Sequence, residues 1–144
     1  MAKTWDSMPW RVQADIAGGG YFYDLAPHQL DLLQHYFGYI IEAKGYTANR
    51  GGLYEAEDSI SATFRFDNGL VGSGSWCFVA HESVKEDRIV VVGDKGSLSF
   101  SVYTYEPITL HTEEGCKEIV VENPTYVQQP LIQAVVDHLL GIST

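Results

Sequence analysis

Gly18-Gly19-Gly20-Tyr21-Phe22-Tyr23-Asp24-Leu25-Ala26-Pro27-His28-Gln29-Leu30-Asp31-Leu32-Leu33-Gln34-His35-Tyr36-Phe37 is the stretch from which the rest of the chain is read. A triple glycine runs into a segment of helical periodicity that carries Asp24, His28, Asp31 and His35 at spacings of four, three and four. At about 100° per residue these four side chains share roughly 60° of arc, so one narrow stripe holds only carboxylates and imidazoles. Leu25, Leu32, Leu33, Tyr36 and Phe37 are read as the apolar face. The helix is expected from Asp24 to Gly38. Asp24 serves as N-cap, Pro27 is tolerated in the first turn, and Gly38 takes the C′ position. An ordinary solvent face carries Lys, Glu and Arg. This stripe carries none, and His beside Asp is the usual means of proton transfer near neutral pH.

Upstream of the glycines, Trp10 to Ala17 alternates Arg11, Gln13 and Asp15 with Val12, Ala14 and Ile16, which predicts a first strand. Downstream the period becomes two. Ile40–Ala48 reads as a strand broken by Arg50-Gly51-Gly52. Ser59–Phe66 and Leu70–Val79 pair across Asp67-Asn68-Gly69, a strong hairpin signal. Arg88–Val92 and Ser97–Tyr103 pair across Gly93-Asp94-Lys95-Gly96, and Thr109–Thr112 and Glu118–Val121 across Glu113-Glu114-Gly115. A closing helix begins near Pro130, carries Leu131, Ile132, Val135, Val136, Leu139 and Leu140 on one side, and ends at Gly141. This order implies an α+β fold, an open and mostly antiparallel sheet of about six strands with helices packed on one face. One sheet face reads as Ser59, Ser61, Thr63, Ser73, Ser75, Ser97, Ser99 and Ser101. It is hydroxylic and little charged, and suits a cover by another sheet or subunit. The alternative is a plain wetted antiparallel face.

At 144 residues the chain is sized for a single domain, and with 45% apolar residues it can bury a core. A net charge of −10, with only nine Lys plus Arg, repels phosphate backbones and anionic bilayers, so neither nucleic acid nor membrane is an expected partner. No run approaches the ~20 apolar residues that span a bilayer. Cys77 and Cys116 are too few for a disulfide framework and suggest free thiols in a reducing, cytoplasmic compartment.

The bland readings of the stripe are concrete. Asp24 can be only a cap, His28 a boundary histidine, Asp31 a salt-bridge partner and His35 a surface residue. The pair says more than either member: a carboxylate one turn before an imidazole can hold one ring nitrogen and leave the other as a base. Four ligands in line on one helix cannot surround an ion, so no metal is expected. His81, His111 and His138 have no comparable neighbours. Gly72-Ser73-Gly74-Ser75 falls inside a strand. No GxGxxG, GxxxxGK[ST] or GxSxG occurs.

Arg11, then Gly18-Gly19-Gly20, then Asp24-x-x-x-His28-x-x-Asp31, then a hairpin-rich sheet resembles the C-terminal domain of the Gfo/Idh/MocA (glucose–fructose oxidoreductase and inositol dehydrogenase) family. The resemblance covers nearly the whole chain. It implies an enzyme whose N-terminal Rossmann domain binds NAD or NADP and carries a lysine, and whose C-terminal sheet builds a homo-oligomer. It implies a carbohydrate-like substrate, with Asp24 and His28 as the catalytic pair and Asp31 in support behind them. The Rossmann half and its lysine are absent from these residues, so residues 1–144 read as a single substrate-binding and dimerisation domain, an isolated piece beginning at Met1 and inactive by itself. A non-catalytic assembly module, or a hydrolase or lyase built on the same Asp–His pair, are the rival expectations.

Overall fold

The computed structural model describes residues 8–142; Met1, where the isolated piece was expected to begin, lies outside them. The chain divides into two units, residues 1–85 and 86–144. Together they hold the expected open antiparallel sheet architecture with helices, as seven strands shared between sheets of three and four.

In the first unit, a 3-10 turn at Trp10–Val12 leads into a one-turn helix α1 (Ala14–Ala17) and a long helix α2 (Tyr21–Phe37). The expected strand over Trp10–Ala17 is therefore wrong. Its alternation is also satisfied by two short helical turns, because Val12 alone is buried while Ile16 is 62% exposed. Gly18, in the left-handed region at φ 79°, accepts the end of α1 by donating its N–H to Ala14 O. Gly20, not Asp24, is the N-cap of α2, and its Cβ would stand 2.6 Å from Glu57 O, so only glycine admits the neighbouring loop. Asp24 consequently sits inside the first turn and Pro27 in the second, rather than at cap and first turn. Gly38 ends the helix at φ 89°, as its position after Phe37 predicts.

Strands β1 (Ile40–Ala48), β2 (Ser59–Phe66) and β3 (Val71–Cys77) pair antiparallel in sequence order. Ile60, Phe64 and Phe66 turn one face of β2 into the core, under α2. Trp76 stacks edge-on against Phe22 of α2 and Phe64 of β2, and its Nε1–H donates to Gln29 Oε1 at 2.7 Å. Gly74 lies where the Trp76 indole passes, so the Gly72-Ser73-Gly74-Ser75 run makes room for an aromatic ring inside β3. The opposite face is exposed: Ser61 faces Ser75 with their hydroxyls 2.6 Å apart, Thr63 faces Ser73, and Tyr46 beside Ser61 is 87% exposed.

In the second unit, β4 (Ile89–Gly93), β5 (Gly96–Phe100), β6 (Ile108–Thr112) and β7 (Gly115–Ile119) form a meander, followed by α3 (Gln129–Leu139). The expected hydroxyl face joining the first two hairpins is divided. Ser97 and Ser99 belong to this second sheet, beside Val92 and Val90, and Ser101 lies past the end of β5. The reason is that alternation gives the parity of a strand but not the sheet it joins. The apolar side expected of α3 is present in sequence register, and Leu131, Ile132 and Val135 are exposed by 63, 59 and 52%.

Candidate functional site

Helix α2 is oriented by its apolar residues. Ala26 is fully buried, Phe22 meets Trp76, Gln29 accepts from Trp76, and Phe37 packs edge-on against Phe66. These residues cluster on one side of the helix. At about 100° per residue the stripe of Asp24, His28, Asp31 and His35 lies nearly opposite Ala26, on the side away from the sheet. His28, Asp31 and His35 are exposed and Asp24 is half-buried. Tyr36, expected on the apolar face, is 65% exposed, because its angular position falls at the edge of the packed arc.

Asp24 is gripped from the 3-10 turn. Arg11 Nε stands 2.8 Å from Asp24 Oδ2, and the Arg11 guanidinium lies 4.8 Å from the centroid of the Trp10 ring. The turn is anchored by Val12, 2% exposed, and by Gln13, whose side-chain amide donates to Met8 O at 3.1 Å. Sequence spacing identified the stripe but not this clamp, because Arg11 and Asp24 meet only through the turn at Gly18–Gly20. The structure thus joins Arg11 to Asp24, and His28 follows one turn on along the same side of α2. Asp31 follows on the same side, and His35 packs its ring 5.0 Å from that of Tyr36.

A second carboxylate went unnoticed in the sequence. Asp58 is fully buried at the start of β2 and accepts Arg50 N–H at 2.8 Å, Gly51 N–H at 2.7 Å and the Ser59 hydroxyl at 2.9 Å. Burial pushes its pKa up, but the two backbone N–H groups and the hydroxyl outweigh that and hold it below the usual carboxylate value. Nearby, burial with the Asp58 charge pushes the Tyr54 hydroxyl up to about 12, and that buried hydroxyl has no hydrogen-bond partner. The only sequence signal was an acidic residue six positions after the Gly51-Gly52 pair. This group secures the 49–58 loop, against which Gly20 packs.

The remaining histidines take other roles. His81 caps a 3-10 turn (Glu82–Val84), with its Nδ1 accepting from Ser83 N, and His111 Nε2 lies 3.9 Å from Cys116 Sγ in the second unit. Cys77 and Cys116 are both free and exposed. Among the described residues no group of three or more His, Cys, Asp or Glu is arranged to hold a metal, and no helix is long and apolar enough to cross a membrane.

The described residues do not cradle a dinucleotide. Both sheets are antiparallel, Gly20 before α2 packs against Glu57 O and the Ala56 side chain, and Gly19 lies against the Tyr23 ring. What the site offers is a carboxylate fixed by a guanidinium, with an imidazole one helical turn on along the same accessible face. That set can orient a hydroxyl and accept its proton.

Comparison with known proteins identifies the family and the fold. Residues 1–99 match the family model of the GFO/IDH/MocA C-terminal domain. The chain is 39% identical over 141 residues to Oxidoreductase P35 of Formosa agariphila, covering 98% of this chain and 42% of that protein. Among solved structures it is similar to levoglucosan dehydrogenase in complex with NADH and levoglucosan, with TM-score 0.68 and 22% identity over 79% of this chain and 34% of that one. The same dehydrogenase in complex with NADH gives TM-score 0.74 and 20% identity, over 92% and 43%. The chain thus spans less than half the length of these relatives.

Proposed function

The chain belongs to the GFO/IDH/MocA family through its C-terminal domain, and from that premise we propose that it is the substrate-binding and oligomerisation half of an NAD(P)-dependent oxidoreductase. The substrate is a sugar, polyol or related hydroxy or keto compound. The family's Rossmann domain, carried elsewhere in the full-length protein, holds the cofactor, so residues 1–144 alone do not turn over nicotinamide. The reading is supported by the match to an oxidoreductase of Formosa agariphila and by the fold shared with a dehydrogenase solved with NADH and sugar-like levoglucosan. Exposed free thiols suit a cytoplasmic protein.

One observation carries the chemical part: the acid–base stripe lies on the accessible side of α2, and its first carboxylate is held by Arg11 at 2.8 Å. A bound nicotinamide would supply the hydride acceptor for the carbinol carbon. The chain handles the proton. His28 takes the hydroxyl proton at its unprotonated ring nitrogen as the carbonyl forms. Asp24 accepts a hydrogen bond from the other ring nitrogen, which sets the tautomer and supports the imidazolium. Asp31, further along the same side of the helix, takes a supporting position behind the pair. The exposed Ser61–Ser75 and Tyr46 face of the first sheet builds the homo-oligomer.

Replacing His28 by Ala in the full-length protein tests this. The expected result is a fall in kcat/KM of about 10²- to 10⁴-fold with an unchanged melting temperature. An unchanged rate would favour a non-catalytic assembly module.

A further inference from the structure

We propose that Arg11 is a positioning residue: it fixes the Asp24 carboxylate so that this group can orient His28. The inference rests on the acid–base reading above and adds to it a residue outside the helix.

Three observations lead there. The contact is made by Nε to a single oxygen, Oδ2, at 2.8 Å. A carboxylate has a second oxygen with its own acceptor sites, so the grip leaves it able to receive a ring N–H from one turn along the helix. A guanidinium has donors only and cannot compete for the imidazole's basic nitrogen. Second, the arm is itself pinned. Its guanidinium lies over the Trp10 ring at 4.8 Å, and the turn that carries both is fastened by buried Val12 and the Gln13–Met8 bond. Third, the ion pair is a poor device for stability, since its side chains are 46 and 32% exposed and water screens it. Among the described residues the other ion pairs lie within one strand pair or one loop; this one ties the turn before the glycines to the working face of α2.

The triple glycine completes the device. Gly18 reverses the chain after α1, and Gly20 lets the 56–57 backbone in close, so the Arg11 turn is brought back beside the first turn of α2. A freely rotating aspartate would sample several rotamers, of which few face the imidazole.

The test uses the full-length protein with NAD(P) and its substrate, in the variants Arg11→Ala, Arg11→Lys, Asp24→Asn, His28→Ala and the double variant Arg11→Ala with Asp24→Asn. Arg11→Ala should lower kcat roughly 10- to 100-fold, the cost of misplacing a reacting group by about an ångström, with KM little changed. Lys keeps the charge but not the planar edge and should fall between. Added guanidinium ion should restore part of the Arg11→Ala rate and none of the Asp24→Asn rate. In the Asp24→Asn background the Arg11 replacement should cost nothing further. A crystal structure of cofactor-free Arg11→Ala should show the Asp24 carboxylate turned from its place. Should the Ala variant fail to fold, the Lys variant carries the same cycle. The proposal is overturned if Arg11→Ala keeps full activity while Asp24→Asn and His28→Ala lose theirs, or if its loss is undiminished beside Asp24→Asn. If Asp24→Asn and His28→Ala both retain full rate, the acid–base reading itself falls, and the role of Arg11 with it.

Discussion

Asp58 shows how one buried charge can be retained without a cation. Two backbone N–H groups and a hydroxyl surround it, and each would be left unsatisfied by its loss. Asp58→Asn turns an N–H2 donor against these donors and should lower stability by about 1–3 kcal/mol at neutral pH. The sign with pH follows from the lowered pKa. The contribution is fully present above the ordinary carboxylate value and is lost as pH falls through the depressed folded value. Urea midpoints of wild type and variant should therefore converge as the solution is acidified, and a gap that stays constant into strong acid would contradict this account. At this scale the sequence was half legible. Asp24, His28, Asp31 and His35 declared themselves by spacing, which is a local property. The Asp58 cage and the Arg11 clamp did not, because each joins residues that only the folded chain makes neighbours.

At the scale of elements, hydrophobic alternation was a good guide where a partner strand existed. β2 was legible from Ile60, Phe64 and Phe66, and the Asp67-Asn68-Gly69 turn set its register with β3, confirmed by the Phe66 N–H to Leu70 O bond. Phe64, 9% exposed between Gly72 and Trp76, is the centre of that packing. Phe64→Ala should destabilise by about 3–5 kcal/mol, read from a denaturation midpoint; a loss below about 1 kcal/mol would mean that α2 does not depend on this face. The same rule misread Trp10–Ala17. Eight residues of alternation do not distinguish a strand from two helical turns when a single side chain is buried and no strand lies alongside. The start of α2 was misplaced by four residues, since Asp24 resembles a cap chemically whereas Gly20 is required sterically.

For the whole molecule, each unit presents its own exposed surface. The first unit has one sheet face sealed by α2 and one left open, with Tyr46 87% exposed over paired Ser61 and Ser75. An exposed aromatic on a flat hydroxylic sheet is suited to meet a second copy. Tyr46→Glu in the full-length protein should shift sedimentation toward the monomer, whereas wild type should sediment as an oligomer; a wild-type protein that stays strictly monomeric at high concentration would remove this role from the face. How the strands divide into two sheets was not legible, since parity along a strand is silent about which sheet receives it.

Proton transfer from α2 depends on where the His28 ring points when the reaction partners are in place. The most direct measurement is a crystal structure of the full-length protein with nicotinamide and a carbohydrate substrate bound. It should place a His28 ring nitrogen within about 3.2 Å of the reacting hydroxyl, with Asp24 still held by Arg11. A substrate bound elsewhere, with His28 facing open solvent, would contradict it.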